Sequence, residues 1–324
     1  HTTAAAQVRG WNFNSPPPRT KWTRRVPHPV QVRGWNFNSG VCLAEFPSVS
    51  QEVAALLWLT PHRFIHRPLV GAGWDRALAF WPADANADDA RPTLVPAHKT
   101  DILALCLCEQ AGVDADDWVV ASGDAHGDVL LHVASSGRLT ARLPAEELNG
   151  PLGEGLSQAE RGGAMSVFSL FWLHAAQVLL VGVGSGHVHA VDPAAGRRVL
   201  TVAPDVFPDD PQPGAISEAT PVHALALRPR PDAVSAMAFQ PVAQRLLLGE
   251  SSGAVQMWRL KSAGDKAPLA FARIRRFQAH WQAVVLLACS PVARLWASCG
   301  SDGGARLWDA RGRPLNVLDP AGPA

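Results

Sequence analysis

Short apolar runs recur along the chain, each bounded by Gly, Ser, Asp or Pro. Val178-Leu179-Leu180-Val181 and Leu246-Leu247-Leu248 are too short for helices, and their unbroken apolar character suits strands buried on both faces. The runs fall into five units, each with an apolar strand, a second strand ending in a small-residue turn, and a third strand. The first unit is Val53 to Leu59, Leu69 to Gly73, the turn Trp74-Asp75-Arg76 and Ala77 to Trp81. The second starts at Ala97-His98 and continues through Ile102 to Cys108, Trp118 to Gly123, the turn Asp124 to Gly127 and Asp128 to Val133. The third is Ser166 to Leu173, Val178 to Gly182, the turn Gly184-Ser185-Gly186 and His187 to Asp192. The fourth is Ala233 to Gln240, Arg245 to Gly249, the turn Glu250 to Gly253 and Ala254 to Leu260. The fifth occupies the last fifty residues and is closed by an outer strand near Pro314 to Leu318.

Aligned on the third strand, one position reads Trp81, His132, Val191, Trp258 and Trp308, with steps of 51, 59, 67 and 50 residues. A compact propeller blade needs only ~40 to 45. The surplus falls in Pro82 to Pro96, Pro144 to Gly163, Pro204 to Pro231 and Lys261 to Arg275, whose Pro, Ala, Gly and Asp content predicts surface loops. The expected organisation is a disordered basic arm over 1–40, a propeller over 41–320 with blades near 45–95, 96–145, 164–204, 232–275 and 276–320, and a tail at 321–324.

The fifth unit holds its polar residues in a telling order: His280, then Ser298, then Asp302 in the turn Gly300 to Gly303, then Trp308 in Leu307-Trp308-Asp309. This resembles one complete WD40 repeat, in which the four side chains hydrogen-bond together and clamp a four-stranded sheet. The second unit keeps His98, Ser122 and Asp124 but has His132 at the Trp position, and units three and four lose most of the set. A partial buried network is worth less than a full one, so the fifth blade is expected to be the most rigid. The fold class expected is all-β, a WD40-type β-propeller with five recognisable blades. The five close as a small ring, recruit Arg33 to Phe46 as a sixth, or form part of a seven-bladed ring whose other blades lie upstream.

Gly71-Ala72-Gly73-Trp74-Asp75-Arg76, the stretch Ala97-His98-Lys99-Thr100-Asp101-Ile102-Leu103-Ala104, a long acidic insert and Arg306-Leu307-Trp308-Asp309 are similar to the C-terminal propeller of WD repeat-containing proteins 49 and 64. The similarity covers roughly Glu45 to Leu318. It implies tandem propellers in the whole protein, an axonemal scaffolding role in cilia or flagella, and a chain that is the later half of something longer. A start at His1 rather than Met also reads as a fragment.

Charge narrows the partners. The 29 basic and 28 acidic residues give a net charge of +1, so no global field draws in nucleic acid or an acidic membrane. Arg9, Arg19, Lys21, Arg24, Arg25 and Arg33 lie in an N-terminal stretch without Asp or Glu, which reads as a solvated arm. A nucleic-acid or tubulin-binding arm is the alternative, marked by steep salt dependence. Within that arm Gln-Val-Arg-Gly-Trp-Asn-Phe-Asn-Ser stands at Gln7 to Ser15 and again at Gln31 to Ser39, which points to a recent duplication or an assembly error. Five cysteines, three of them in expected strands, predict reduced thiols and a cytoplasmic location. No apolar run reaches the ~18 to 20 residues of a membrane helix, and no signal peptide is evident.

Candidate chemistry is sparse. Gly249-Glu250-Ser251-Ser252-Gly253 spells a nucleophile elbow, but a strand rather than a helix follows it, so a hairpin turn is expected. His62 and His66 lack the helical context of a zinc site. Cys106 and Cys108 share a strand face below His98 and are expected to be packing thiols rather than ligands; His187 and His189 likewise share a face. No metal, cofactor or small-molecule substrate is expected. The expected function is a non-catalytic scaffold that binds other proteins through the turn face carrying Trp74, Arg76, His126 and Asp128, since exposed Trp and Arg favour interfaces. The alternatives are a general cytosolic complex-assembly adaptor and, third, a propeller enzyme with its site in the central channel.

Overall fold

The computed structural model describes residues 30–35, 39, 41–49, 53–59, 69–82, 91–109, 118–149, 163–202, 232–264 and 267–318. The architecture is all-β and propeller-like, with five four-stranded antiparallel sheets and one two-stranded sheet. The two-stranded pair is β1 (Val30–Trp35) and β2 (Cys42–Val49). Sheet one follows with β3 (Val53–Trp58), β4 (Leu69–Gly73), β5 (Ala77–Trp81) and β6 (Thr93–Pro96). Sheet two has β7 (Ile102–Cys108), β8 (Val119–Asp124), β9 (Val129–Val133) and β10 (Leu139–Leu143), after which comes a short helix, α1 (Ala145–Asn149). Sheet three is β11 (Val167–Leu173), β12 (Val178–Val183), β13 (Val188–Asp192) and β14 (Arg197–Val202). Sheet four is β15 (Val234–Gln240), β16 (Arg245–Glu250), β17 (Ala254–Gly264) and β18 (Ala267–Gln278). Sheet five is β19 (Val284–Cys289), β20 (Leu295–Gly300), β21 (Ala305–Asp309) and β22 (Pro314–Leu318).

The chain falls into two compact units. The pair β1–β2 and sheets one and two lie in the first, which also takes Pro193–Arg197; sheets three to five lie in the second. In the first unit, Val32 and Phe46 pack with Val53, Leu69, Ala79 and Trp81, and a further core joins Val70, Leu78 and Phe80 to Ile102 and Val120. In the second, Leu180, Val188 and Leu173 pack with Val234, Leu246 and Trp258, while Leu247, Val255 and Met257 pack with Val284, Trp296 and Trp308.

One device repeats in every sheet. Each first strand opens on a buried β-branched residue, Val53, Ile102, Val167, Val234 or Val284, and a β-bulge follows at once. Beyond the bulge, sheets one to four pair two small residues: Ala55 with Ala72, Ala104 with Gly123, Ser169 with Gly182, and Ala236 with Gly249. In sheets three and four the hollow receives the next sheet. A Cβ added at Gly182 would stand 2.8 Å from Val234, and one at Gly249 would stand 2.6 Å from Val284, far inside van der Waals contact. Ser169 Oγ donates to Val234 O at 2.7 Å and Ser235 Oγ to Val284 O at 2.6 Å, fixing the same junctions. Sheet five breaks the pattern, with Leu286 opposite Cys299.

The turns between second and third strands are also alike. An N–H to C=O bond closes each over four residues, from Arg76 to Gly73, Gly127 to Asp124, Gly186 to Val183, Gly253 to Glu250 and Gly303 to Gly300. The last position is left-handed in all five, so four carry Gly and the first strains Arg76 at φ 61. Glu250-Ser251-Ser252-Gly253 is thus a hairpin turn between β16 and β17, not an elbow leading into a helix.

Three expectations change. Lys261 to Arg275, read as a surface loop, belongs largely to the long hairpin β17–β18, in which Leu269 and Phe271 pack on the core of sheets three and four. Val30–Trp35, assigned to the disordered arm, is a strand whose Val32 is buried with Phe46. The Pro144–Gly163 insert begins with α1, which buries Ala145 and Leu148. The expected disorder of the first nonamer copy, the pair His62 and His66, and the whole of the expected loop Pro204 to Pro231 lie outside the described residues.

Candidate functional site

In sheet five His280, Ser298, Asp302 and Trp308 come together. His280 follows β18 and is fixed by its own N–H, which donates to Gly253 O at 2.9 Å. Its Nδ1 lies 3.0 Å from Asp302 Oδ1 and its Nε2 2.8 Å from Ser298 Oγ. Trp308 Nε1 donates to the same Ser298 oxygen at 2.9 Å. One proton assignment satisfies every atom: Nδ1–H donates to the carboxylate, the Ser hydroxyl donates to Nε2, and its oxygen accepts from the indole. Burial pushes the Asp302 carboxyl up, but N–H donors from Trp281 and Gly304, with His280, bring it below the ordinary carboxylate value.

The connectivity is that of a Ser-His-Asp triad, but Ser298 and His280 are buried and the Ser oxygen already accepts the Trp308 indole hydrogen bond. The group ties the entry into the sheet, its second and third strands and its turn into one polar node.

Sheet two repeats the node with a difference of position. His98 Nδ1 is 3.0 Å from Asp124 Oδ2 and Nε2 is 2.8 Å from Ser122 Oγ. Asp124, however, ends β8, two places earlier in its turn than Asp302. From there its Oδ1 accepts the N–H groups of His126, Gly127 and Asp128. Burial raises the Asp124 carboxyl and the hydrogen bonds from His98 and Thr100 override it, leaving it low. His132 stands at the Trp position, buried, with Nδ1 unpartnered. Burial and the neighbouring His98 depress His132 to about 4. Because His98 spends both nitrogens on this node, it is not free to join Cys106 and Cys108. Cys106 Sγ donates to Leu107 O at 3.6 Å, and the adjoining Cys106 thiol, together with burial, raises Cys108 well above the ordinary thiol value.

Sheet four carries a node that the His-Ser-Asp-Trp pattern does not mark. Trp258 Nε1 donates to Gln256 Oε1 at 3.0 Å, and Gln256 Nε2 to Glu250 Oε1 at 2.7 Å. Arg276, from the outer strand, donates through Nε and Nη2 to the two Glu250 oxygens at 2.9 and 2.6 Å, and also reaches Asp232 at 3.1 Å. Glu250 ends its second strand as Asp124 does, so the acid keeps its place while Arg276 replaces His and Gln256 replaces Ser. The available signal was an acid at that strand end with Gln two residues before the Trp. Sheet three has Val191 at the Trp position, and His189, two residues earlier, bonds to Thr201 Oγ1 at 3.0 Å. Burial, Arg198 and His187 depress His189 to about 3, and its ring stacks on His187 at 6.3 Å.

The expected partner face divides. Trp74 is 45% exposed, and Arg76 faces Asp101 at 3.6 Å, both largely solvated, so that ion pair adds little stability. Arg76 O accepts from the N–H groups of Ala97 and His98, Asp101 O from Ala125 N–H, and Thr100 Oγ1 from exposed His126 N–H. Trp74, Arg76 and His126 therefore share one continuous rim. Asp128 does not join them. It is 5% exposed, accepts from Arg142 at 2.5 Å and caps the first turn of α1 through Ala145 N–H at 2.9 Å. In the second unit the corresponding rim presents Trp281, 85% exposed, its backbone N–H held by Asp302 Oδ2 at 3.0 Å. Nothing in the apolar pattern distinguished Trp281, because it lies outside every strand. No protein-family model and no curated protein matches this chain.

Proposed function

We propose that this chain is a non-catalytic WD40-type scaffold that holds other proteins at its turn rims, Trp74 with Arg76 and His126 on one unit and Trp281 on the other. One observation carries the reading: buried His, Ser and acidic side chains are spent on fixing the turns, while large aromatic side chains stand exposed at those turns. Such a design suits presentation rather than reaction, since an exposed Trp carried on a fixed backbone leaves only its own side chain to be ordered on docking. The resemblance to the WD repeat-containing 49 and 64 family makes the proposed setting an axonemal assembly of a cilium or flagellum.

The test is fractionation of ciliated cells expressing the tagged full chain. The expected result is retention on detergent-extracted axonemes, and release to the soluble fraction on combined Trp74→Ala and Trp281→Ala, with a melt close to that of the parent. A parent chain found wholly in the soluble fraction overturns the axonemal setting. A double variant retained like the parent overturns the role of the rim.

A further inference from the structure

The second unit segregates charge in a way that the whole chain's net +1 conceals. Residues 232–264 and 267–318, which hold its sheets four and five, carry ten Arg and Lys against four acids. Three of those acids are committed near the turn rim: Glu250 and Asp232 to Arg276, and Asp302 to His280. The excess gathers at the opposite end of the strands, where turns 241–244, 290–294 and 309–313 lie.

Backbone pairing fixes this cluster. Arg245 and Arg259 are direct cross-strand partners on β16 and β17, an arrangement in which like charges destabilise a sheet. Leu295, next to Arg294, pairs with Asp309, and Gln240 Nε2 ties the first turn to Leu295 O at 3.3 Å. The turn after Asp309 carries Arg311 and Arg313, and Arg275 Nη1 reaches Arg311 O at 3.1 Å. Asp309 is the one acid here among the described residues, and its Oδ1 already accepts the N–H groups of Arg311 at 2.7 Å and Arg313 at 2.9 Å. None of Arg245, Arg259, Arg294, Arg311 or Arg313 is ion-paired with a carboxylate among the described residues. Partial burial and the nearby Arg259, Arg311 and Arg294 lower Arg245 below its ordinary value, against the pull of Asp309. A merely solvated face would not oppose two arginines across a ladder. This one costs the free protein stability that an anion would return.

We propose that this end of sheets four and five is a docking surface for an acidic, Asp- and Glu-rich polypeptide segment, bound by Arg245, Arg259, Arg294, Arg311 and Arg313. The arginines span three turns, so they suit an extended chain with repeated carboxylates, each able to accept a forked pair of N–H bonds. A nucleic acid is the poorer match, because single strands also need aromatic platforms for their bases. The rings beside the cluster are not open platforms: Trp296, whose Nε1 donates to Asp309 O at 2.8 Å, and Trp308 are buried, and Phe277, which packs on both, is covered by Arg275 at 4.6 Å. This surface lies at the far end of the strands from the rim proposed above and stands independently of it.

The probe is a fluorescently labelled oligoglutamate peptide, titrated with the full-length chain by anisotropy, with a labelled single-stranded DNA oligonucleotide in parallel. Expected are saturable peptide binding that weakens steeply as NaCl rises from about 0.1 to about 1 M, and a loss of about tenfold or more in Arg245→Gln/Arg259→Gln. Lys99→Gln, on the other unit, should bind as the parent does. The same double variant should melt higher than the parent at low salt, with the difference shrinking at high salt; simple structural damage would lower the melt instead. Absence of peptide binding, binding unchanged in the double variant, or DNA bound more tightly than the peptide each overturns the proposal.

Discussion

At the scale of single residues, one position on the third strand separates complete nodes from defective ones. Trp308 fills it in sheet five, where the indole both stacks on Trp296 at 5.2 Å and donates to Ser298. Trp308→Ala should therefore destabilise the protein by about 3 to 5 kcal/mol through lost packing, while Trp308→Phe should cost about 1 kcal/mol for the missing hydrogen bond. Urea melts of the two variants check the order, and equal losses would mean that the hydrogen bond, removed in both, outweighs the packing that Phe retains. In sheet two the same position holds His132, depressed to about 4. The unfolded chain binds its proton near pH 6.5 and the folded chain only near pH 4, so stability rises with pH between those values. It is lost as pH falls from about 6.5 toward 4. His189, depressed to about 3, adds a loss in the same direction. Asp124 and Asp302 also lose stabilisation on acidification, but only below the ordinary carboxylate value. His132→Phe should remove one unpartnered nitrogen and make the melt less sensitive to pH between 6.5 and 4.5; an unchanged slope would show that His132 does not drive the acid loss.

At the scale of elements, the sheets were more legible than their joints. The runs around Leu246 and Val178 gave away doubly buried strands because nothing polar interrupts them. Outer strands were harder to read. Residues 267–275 looked like a loop because Pro268 and two arginines interrupt the run, and because Leu269 and Phe271 face the core of sheets three and four while Phe277, beyond a bulge, faces that of sheets four and five, so no single apolar face runs along the strand. The clamp of sheet five was readable because its four residues match a known pattern, whereas the Trp258, Gln256, Glu250 and Arg276 node was not. Its Arg comes from that unrecognised strand. Glu250 is buried while Arg276 is partly solvated, so removing either leaves unequal damage. Arg276→Ala strands a buried carboxylate and should cost about 3 to 5 kcal/mol, whereas the double variant with Glu250→Ala should cost less than the sum of the singles. Additive losses in a double-mutant cycle would argue that the node is not a unit.

At the scale of the whole molecule, the sheets that pack in series within each unit do so through one junction, a leading Val or Ile set into a hollow between two small residues. That junction explains why Gly182 and Gly249 cannot grow side chains, and it makes sheet five exceptional. Its outward face offers Leu286, 55% exposed, opposite Cys299, then Leu307 at 37% and Leu318 at 66%, where a hollow would be. The face lacks charge: the residues paired across it, Leu286, Cys299, Ala305 and Leu318, then Ala288, Ala297, Leu307 and Asn316, are apolar apart from one amide. Beside it β22 ends the sheet, without a further strand among the described residues. An apolar sheet face next to an open edge favours self-association, and Leu286 in place of a small residue makes that face unsuited to another sheet packed in the same way. The expected behaviour of the isolated protein is concentration-dependent association in sedimentation velocity, little affected by salt because burial of apolar surface drives it. Leu286→Ser with Leu307→Ser should shift the distribution toward monomer and leave the melting temperature within a few degrees of the parent, both side chains being already exposed. Association that persists in the double variant, or that weakens with salt, would place the contact at the arginine cluster or the turn rims instead of this face.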